Sequence, residues 1–279
     1  MKTKLLSSLL LSLLLAAVPS HAQLDLEKEV LIIPDTHNEK PYIWKVLRNP
    51  KDYELTLQYV DAAAGTETVF SLDLRSKGTA KIDDLHVFIA DEDLHIYRHV
   101  RPVISGDGKY RFNFKAPQAR KYRFEVVFKA QEGWINLSKD VKIKGDKKTS
   151  EPEAKTGDED YSVKVKLIPK KIYSEHVVTI VYGIMHKGAP LKGLEKIDGF
   201  DMHVAAWDED MKEFIYTTSR QNLGGPEVAV SIVFMRAGKH AVFGEFKHNG
   251  IIRNVDLVVD VRNEPKEDSG SIYDSKPSY

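Results

Sequence analysis

Histidine and methionine are the side chains of this sequence best suited to chemistry. Every methionine after the initiator (Met185, Met202, Met211, Met235) lies in the second half of the 279-residue chain, together with five histidines. Met185-His186 and Met202-His203 are adjacent pairs. Thioether sulfur beside imidazole, with no thiolate in competition, suits copper, because soft sulfur selects Cu(I) and imidazole binds either oxidation state. The first half offers His86, His95 and His99 around the acidic turn Asp91-Glu92-Asp93. The candidate metal ligands are therefore His86, His99, His203, Met185, His186 and Met202. Neighbours on a regular strand face opposite ways, so a Met-His pair cannot turn both side chains onto one ion.

Carboxylates are the second candidate set. Asp91 and Asp93 recur as Asp208 and Asp210 in a matching triplet. Calcium could be held there only by oxygens gathered from separate loops, since it takes 6–8 of them and no EF-hand spacing is present. Acidic turn tips are ordinarily solvated. Catalysis has little support: there is no G-x-S-x-G elbow, H-E-x-x-H helix or glycine-rich phosphate loop. Trp134, which follows Glu132-Gly133 in an expected hairpin turn, and Trp207 are candidate partner contacts. Asn136-Leu137-Ser138 fits the glycosylation acceptor pattern.

The elements that must position these groups are strands. Tyr110, Phe112 and Phe114 alternate with charged or polar residues, as do Tyr122, Phe124, Val126 and Phe128, and Val163, Val165 and Leu167. Strict alternation puts one face on a core and one in water, as in antiparallel sheets. The pattern is also written twice. Leu85-His86-Val87-Phe88-Ile89-Ala90-Asp91-Glu92-Asp93-Leu94 recurs 117 residues on as Met202-His203-Val204-Ala205-Ala206-Trp207-Asp208-Glu209-Asp210-Met211. Each copy has six to eight short strands' worth of alternation in about 100 residues, with Gly, Asp, Asn and Pro at the turns. The expected fold is all-β: two tandem immunoglobulin-like antiparallel β-sandwich domains joined by a polar linker. Their bounds are 23–145 (with an extension over 23–52) and 161–262, with the linker at 146–160 and a polar, disordered tail at 263–279.

Residues 85 to 102 (LHVFIADEDLHIYRHVRP) resemble the core of the secreted YtkA-like, heavy-metal-associated β-sandwich domains. In those a leading histidine is followed by an Asp-Leu turn and an aromatic-x-His-x-His-Pro segment. The resemblance makes His86 the leading histidine and His99 the first of the pair, while Arg101 stands in place of the second. In the other copy His203 is kept, and Tyr216 and Thr218 occupy the positions of the pair. Two nitrogens in the first copy make a poor metal site unless Met or carboxylate side chains complete it.

Lys2 and Lys4, the apolar run Leu5 to Val18 and the small-x-small triplet Ser20-His21-Ala22 read as a secretory leader cleaved near Ala22. Its apolar run is shorter than the ~20 residues of a membrane span. Equal numbers of basic and acidic side chains, 41 each, leave no footprint for nucleic acid. The absence of cysteine excludes disulfides, thiolate metal sites and cysteine nucleophiles. The sequence thus describes a periplasmic or secreted, non-enzymatic binding module whose partner is another extracytoplasmic protein or an envelope component. The alternative is a copper-handling protein, and a remoter one a hydrolase with an interdomain site.

Overall fold

The alternating segments become strands, and no helix occurs among the described residues of the computed structural model, which are 46–77, 82–106, 109–131, 133–145 and 160–264. The segments expected to form a leader, most of an N-terminal extension, a linker and a tail from 265 lie outside them. Nine described strands belong to the first half: β1 (Val46–Arg48), β2 (Tyr53–Gln58), β3 (Glu67–Ser76), β4 (Asp83–Asp91), β5 (Tyr97–Val100), β6 (Val103–Ser105), β7 (Lys109–Lys115), β8 (Lys121–Ala130) and β9 (Gly133–Lys142). Nine belong to the second: β10 (Tyr161–Ile168), β11 (Ile172–Tyr173), β12 (Val177–His186), β13 (Ala189–Pro190), β14 (Met202–Asp208), β15 (Phe214–Thr218), β16 (Glu227–Val233), β17 (Gly238–His248) and β18 (Ile251–Arg262).

Each half pairs a four-stranded sheet with a five-stranded one. The five-stranded sheets run β1-β9-β8-β4-β5 and β11-β18-β17-β14-β15, the same order built from corresponding strands. The four-stranded sheets are β2-β3-β7-β6 and β10-β12-β13, with β16 on the other side of β12. In the first half Phe70 and Leu72 of β3, Phe112 and Phe114 of β7, and Tyr122, Phe124, Val126 and Phe128 of β8 meet in one buried cluster. In the second, Val178, Ile180 and Tyr182 of β12 meet Met202, Val204 and Ala206 of β14 and Val242 and Phe246 of β17.

Alternation fails in two places, and there the fold departs from a pair of free sandwiches. Every residue from Leu85 to Asp91 in β4 and from Met202 to Asp208 in β14 is buried. Leu85, Val87 and Ile89 face one core, while Phe88 and Ala90 face a third cluster with Tyr97, Val127, Trp134, Ala205, Trp207, Phe214, Tyr216 and Phe243. That cluster joins the two five-stranded sheets face to face, so the sheets stack four deep and strands at the centre are covered on both sides. The described residues accordingly belong to one compact unit.

The two acidic turns are built alike. Asp91 is fully buried; its Oδ1 accepts the backbone N–H groups of His95 (2.8 Å) and Ile96 (2.6 Å), and its Oδ2 pairs with Arg120. Asp208 accepts the N–H of Glu213 (2.7 Å) and pairs with Arg236 Nε (2.9 Å). Leu94 and Met211 take the same left-handed backbone, with φ of 57° and 54°. Asp93 shares Arg120 (2.7 Å), and Asp210 pairs with Lys212 (2.7 Å). Asp91 and Asp208 thus staple their turns through buried N–H groups, while Asp91, Asp93 and His95 also bring one ligand atom each within 4.8 Å of one another. Asp91→Ala is expected to cost about 3 kcal/mol, since it frees two buried N–H groups and strips Arg120 of its buried partner. Asp210→Ala, at an exposed pair, should cost under about 0.5 kcal/mol. Urea unfolding of the two variants compares them, and equal losses would refute the staple.

Candidate metal centre

Three imidazoles from both halves meet at the edge of the shared cluster. His86 lies on β4 and His203 at the corresponding place on β14, each on the face opposite its own core. His99 lies on β5, opposite Phe88 in register and stacked on its ring at 4.3 Å. One ring nitrogen from each of His86, His99 and His203 falls within 4.8 Å of the others. His86 and His203 are 1% and 0% exposed, and the His99 side chain 4%. A register shift between Asp83 and His86, with Asp84 at φ 49°, is a β-bulge that turns Asp84 back beside His86.

Each ring has one nitrogen fixed from outside. His99 Nδ1 donates to Glu245 Oε2 of β17 at 2.7 Å, and His203 Nε2 donates to the Ile197 carbonyl at 2.8 Å. His86 Nε2 lies 3.1 Å from Asp84 Oδ1 and also contacts Arg101 Nη1. The other nitrogens face inward. His86 Nδ1 and His99 Nε2 are 2.9 Å apart, and His203 Nδ1 accepts the Tyr216 hydroxyl at 2.9 Å. Carboxylate or carbonyl acceptors on the outer nitrogens are the arrangement that orients metal-binding histidines.

The protons follow from the partners. A carboxylate only accepts, so His99 carries its proton on Nδ1 and offers Nε2 as an acceptor. The proton between the two rings then belongs to His86 Nδ1. Burial pushes the His86 imidazole down to about 4, so near neutral pH it carries this single proton, and its Nε2 accepts from Arg101. Burial also pushes His203 down and Tyr216 well above its ordinary value. His86 and Arg101 beside it hold Asp84 below the usual carboxylate range. A chain of hydrogen bonds therefore runs from Arg101 through His86 and His99 to Glu245.

Because an unfolded His86 would titrate near 6.5 and the folded one near 4, the unfolded chain binds more protons in that window. Stability is full above pH 6.5 and falls as pH drops toward 4, by about 3 kcal/mol from this residue. Urea midpoints between pH 6.5 and 5, above most carboxylate titration, should fall in the wild type and fall less steeply in His86→Gln, where His203 still contributes; parallel slopes would disprove the assignment.

The remaining candidates lie elsewhere. Met202 is fully buried in the second core, opposite His203, as neighbours on a strand must be. Met185 is on β12, and His186 belongs to another group, stacked on Tyr161 at 4.4 Å and 5.3 Å from His248. The Met202 thioether therefore does not join the three imidazoles. Trp207 is fully buried and Trp134 9% exposed, both in the shared cluster; the expected contact with an outside partner is corrected to contact between the halves. Exposed apolar side chains are spread over both halves, among them Val60, Val103 and Ile104 in the first and Leu223, Ile251 and Val258 in the second. Asn136 is buried and donates to Glu125, so the acceptor triplet does not present a free amide. A cavity of about 330 Å³ is lined by Asn49, Tyr53, Glu54, Leu55, Thr56, Leu137, Ser138 and Lys139. Ser138 donates to Glu125 there, with no imidazole in the lining.

The family described as "Domain of unknown function (DUF8832)" matches residues 155–263, the second half. No curated protein matches. Among solved structures the chain is similar to red sea bream transglutaminase (10% identity, 76% of this chain and 32% of that one, TM-score 0.26). It is also similar to chicken CNTN1 FN1–FN3 domains (10%, 74% and 65%, 0.24) and to the Escherichia coli adhesin FdeC (13%, 76% and 64%, 0.27). The chain spans less than two thirds of each of these chains.

Proposed function

We propose that this protein is an extracytoplasmic, non-enzymatic binding protein that holds one divalent late transition-metal ion, copper first, between its two halves. The observation that carries the reading is the set of inward nitrogens on His86, His99 and His203, with His99 and His203 oriented from behind by Glu245 and the Ile197 carbonyl and His86 flanked by Asp84 and Arg101. Imidazole suits copper and zinc, and at equal geometry copper binds more tightly. Without sulfur the set favours Cu(II) over Cu(I). The Tyr216 hydroxyl, already on His203 Nδ1, is the fourth group at hand. A metal bound by three nitrogens at about 2.0 Å in tetrahedral geometry holds them about 3.3 Å apart, so His86 and His99 need separate by only a few tenths of an ångström. The leader at residues 1–22 supports the compartment, and the exposed Val103 and Ile104 on the β6 edge support a protein partner.

Calorimetric titration with Cu²⁺ and Zn²⁺ tests this. One ion per chain is expected, lost in His203→Ala. Tyr216 binding as phenolate releases one proton that binding through the imidazoles alone does not, so buffers of different ionisation heat, compared between the wild type and Tyr216→Phe, count that proton. No saturable binding, or binding indifferent to His203→Ala, would sink the reading.

A further inference from the structure

We propose that Arg101 is the gate of the three-histidine centre: its contact with His86 Nε2 holds the rings in the form that closes the centre, and ions enter when that contact is released. The proposal rests on the metal reading above. Arg101 is 39% exposed and bridges the halves, with Nη2 2.8 Å from Asp84 Oδ1 and Nε 3.4 Å from Asp198 Oδ2. The centre behind it is buried. An arginine cannot accept a hydrogen bond, so its Nη1 on His86 Nε2 requires that nitrogen to be bare and the proton to sit on Nδ1. That proton occupies the space between His86 Nδ1 and His99 Nε2. An ion bound there needs both inward nitrogens bare, so the His86 proton must move to Nε2.

Asp84 is placed to receive it, its Oδ1 lying 3.1 Å from Nε2. Donor and acceptor thus compete for one nitrogen, and each selects one tautomer. With Arg101 on Nε2 the centre is shut; with Asp84 on Nε2–H it is open to an ion. Asp198, in the other half, is the carboxylate onto which the guanidinium can turn without losing its charge partner. No net proton is taken up or released by His86 in this exchange, because the same proton passes from Nδ1 to Nε2 through solvent. The guanidinium charge also repels an approaching dication until it turns away.

Two measurements on the full chain test this. In long-range ¹⁵N NMR without metal, His86 should carry its proton on Nδ1 in the wild type and on Nε2 in Arg101→Met. In stopped-flow mixing with Cu²⁺, Arg101→Met should load about 10- to 100-fold faster, the scale of one charge-assisted hydrogen bond. Asp84→Asn should load no faster and hold the ion more weakly, and Asp198→Asn should slow loading, which keeps the test intact if Arg101→Met is unstable. If the wild type loads copper but Arg101→Met shows the same tautomer and rate, the gate is wrong and the metal site stands. If neither protein binds Cu²⁺, the metal reading fails and the gate falls with it, whatever the tautomers.

Discussion

Saturating Cu²⁺ is expected to raise the unfolding midpoint by roughly 10 °C. An ion that binds only the folded chain stabilises it by about 4 kcal/mol at 1,000 times its dissociation constant. Each kcal/mol shifts the midpoint of a body of 150–250 residues by about 2–4 °C. The ion here would be held by His86 and His99 from one half and His203 from the other, so the gain should appear as later unfolding of the whole unit and not of one half. His99→Ala should abolish the shift, while His176→Ala, at an exposed histidine paired with Glu264, should leave it intact. Calorimetric scans with and without chelator measure both. A shift that survives His99→Ala would place the ion elsewhere.

Trp207→Ala is expected to cost about 4 kcal/mol, within the range for a large buried aromatic. Trp207 is fully buried between the sheets, with its ring 4.8 Å from Phe214, 5.9 Å from Phe243 and 6.1 Å from Tyr97 of the other half. Phe88→Ala should act similarly, because Phe88 lies 5.5 Å from Phe214 and 4.9 Å from Tyr216 across the same seam. Neither residue belongs to the core of its own half. The double variant should therefore split one cooperative transition into two, as each half unfolds on its own core. Guanidinium unfolding followed by two probes distinguishes the outcomes. A loss below about 1 kcal/mol, or a single transition in the double variant, would show that the seam does not couple the halves.

Much of this body could be read from residue order. Period-two alternation in Tyr110–Phe114 and Tyr122–Phe128 located β7 and β8, and the repeat of His86 as His203 anticipated the matching order of the five-stranded sheets. The face-to-face seam had a signal too: Leu85–Ala90 and Met202–Trp207 are apolar at both parities, which a half-solvated strand does not tolerate. The seam explains why His86 and His99, two nitrogens in one copy, gain a third in His203, since equivalent faces of a duplicated sheet packed together bring equivalent residues together. Glu245 was harder to see. Its only mark is a charge inside the run Ala241 to Phe246, and its pairing with His99 spans 146 residues. Asp84 depends on a bulge, and bulges leave little trace in composition. The turn-stapling role of the acidic triplets was not legible, because it depends on arginines more than 25 residues away, Arg120 and Arg236, that lie beside Asp91 and Asp208.

X-ray absorption at the copper edge of the loaded protein tests the centre most directly. Three imidazole nitrogens at about 2.0 Å, a fourth light atom and no sulfur are expected, with the imidazole count falling in His203→Ala. A sulfur shell at about 2.3 Å, or a shell without imidazole scattering, would contradict an ion held by His86, His99 and His203.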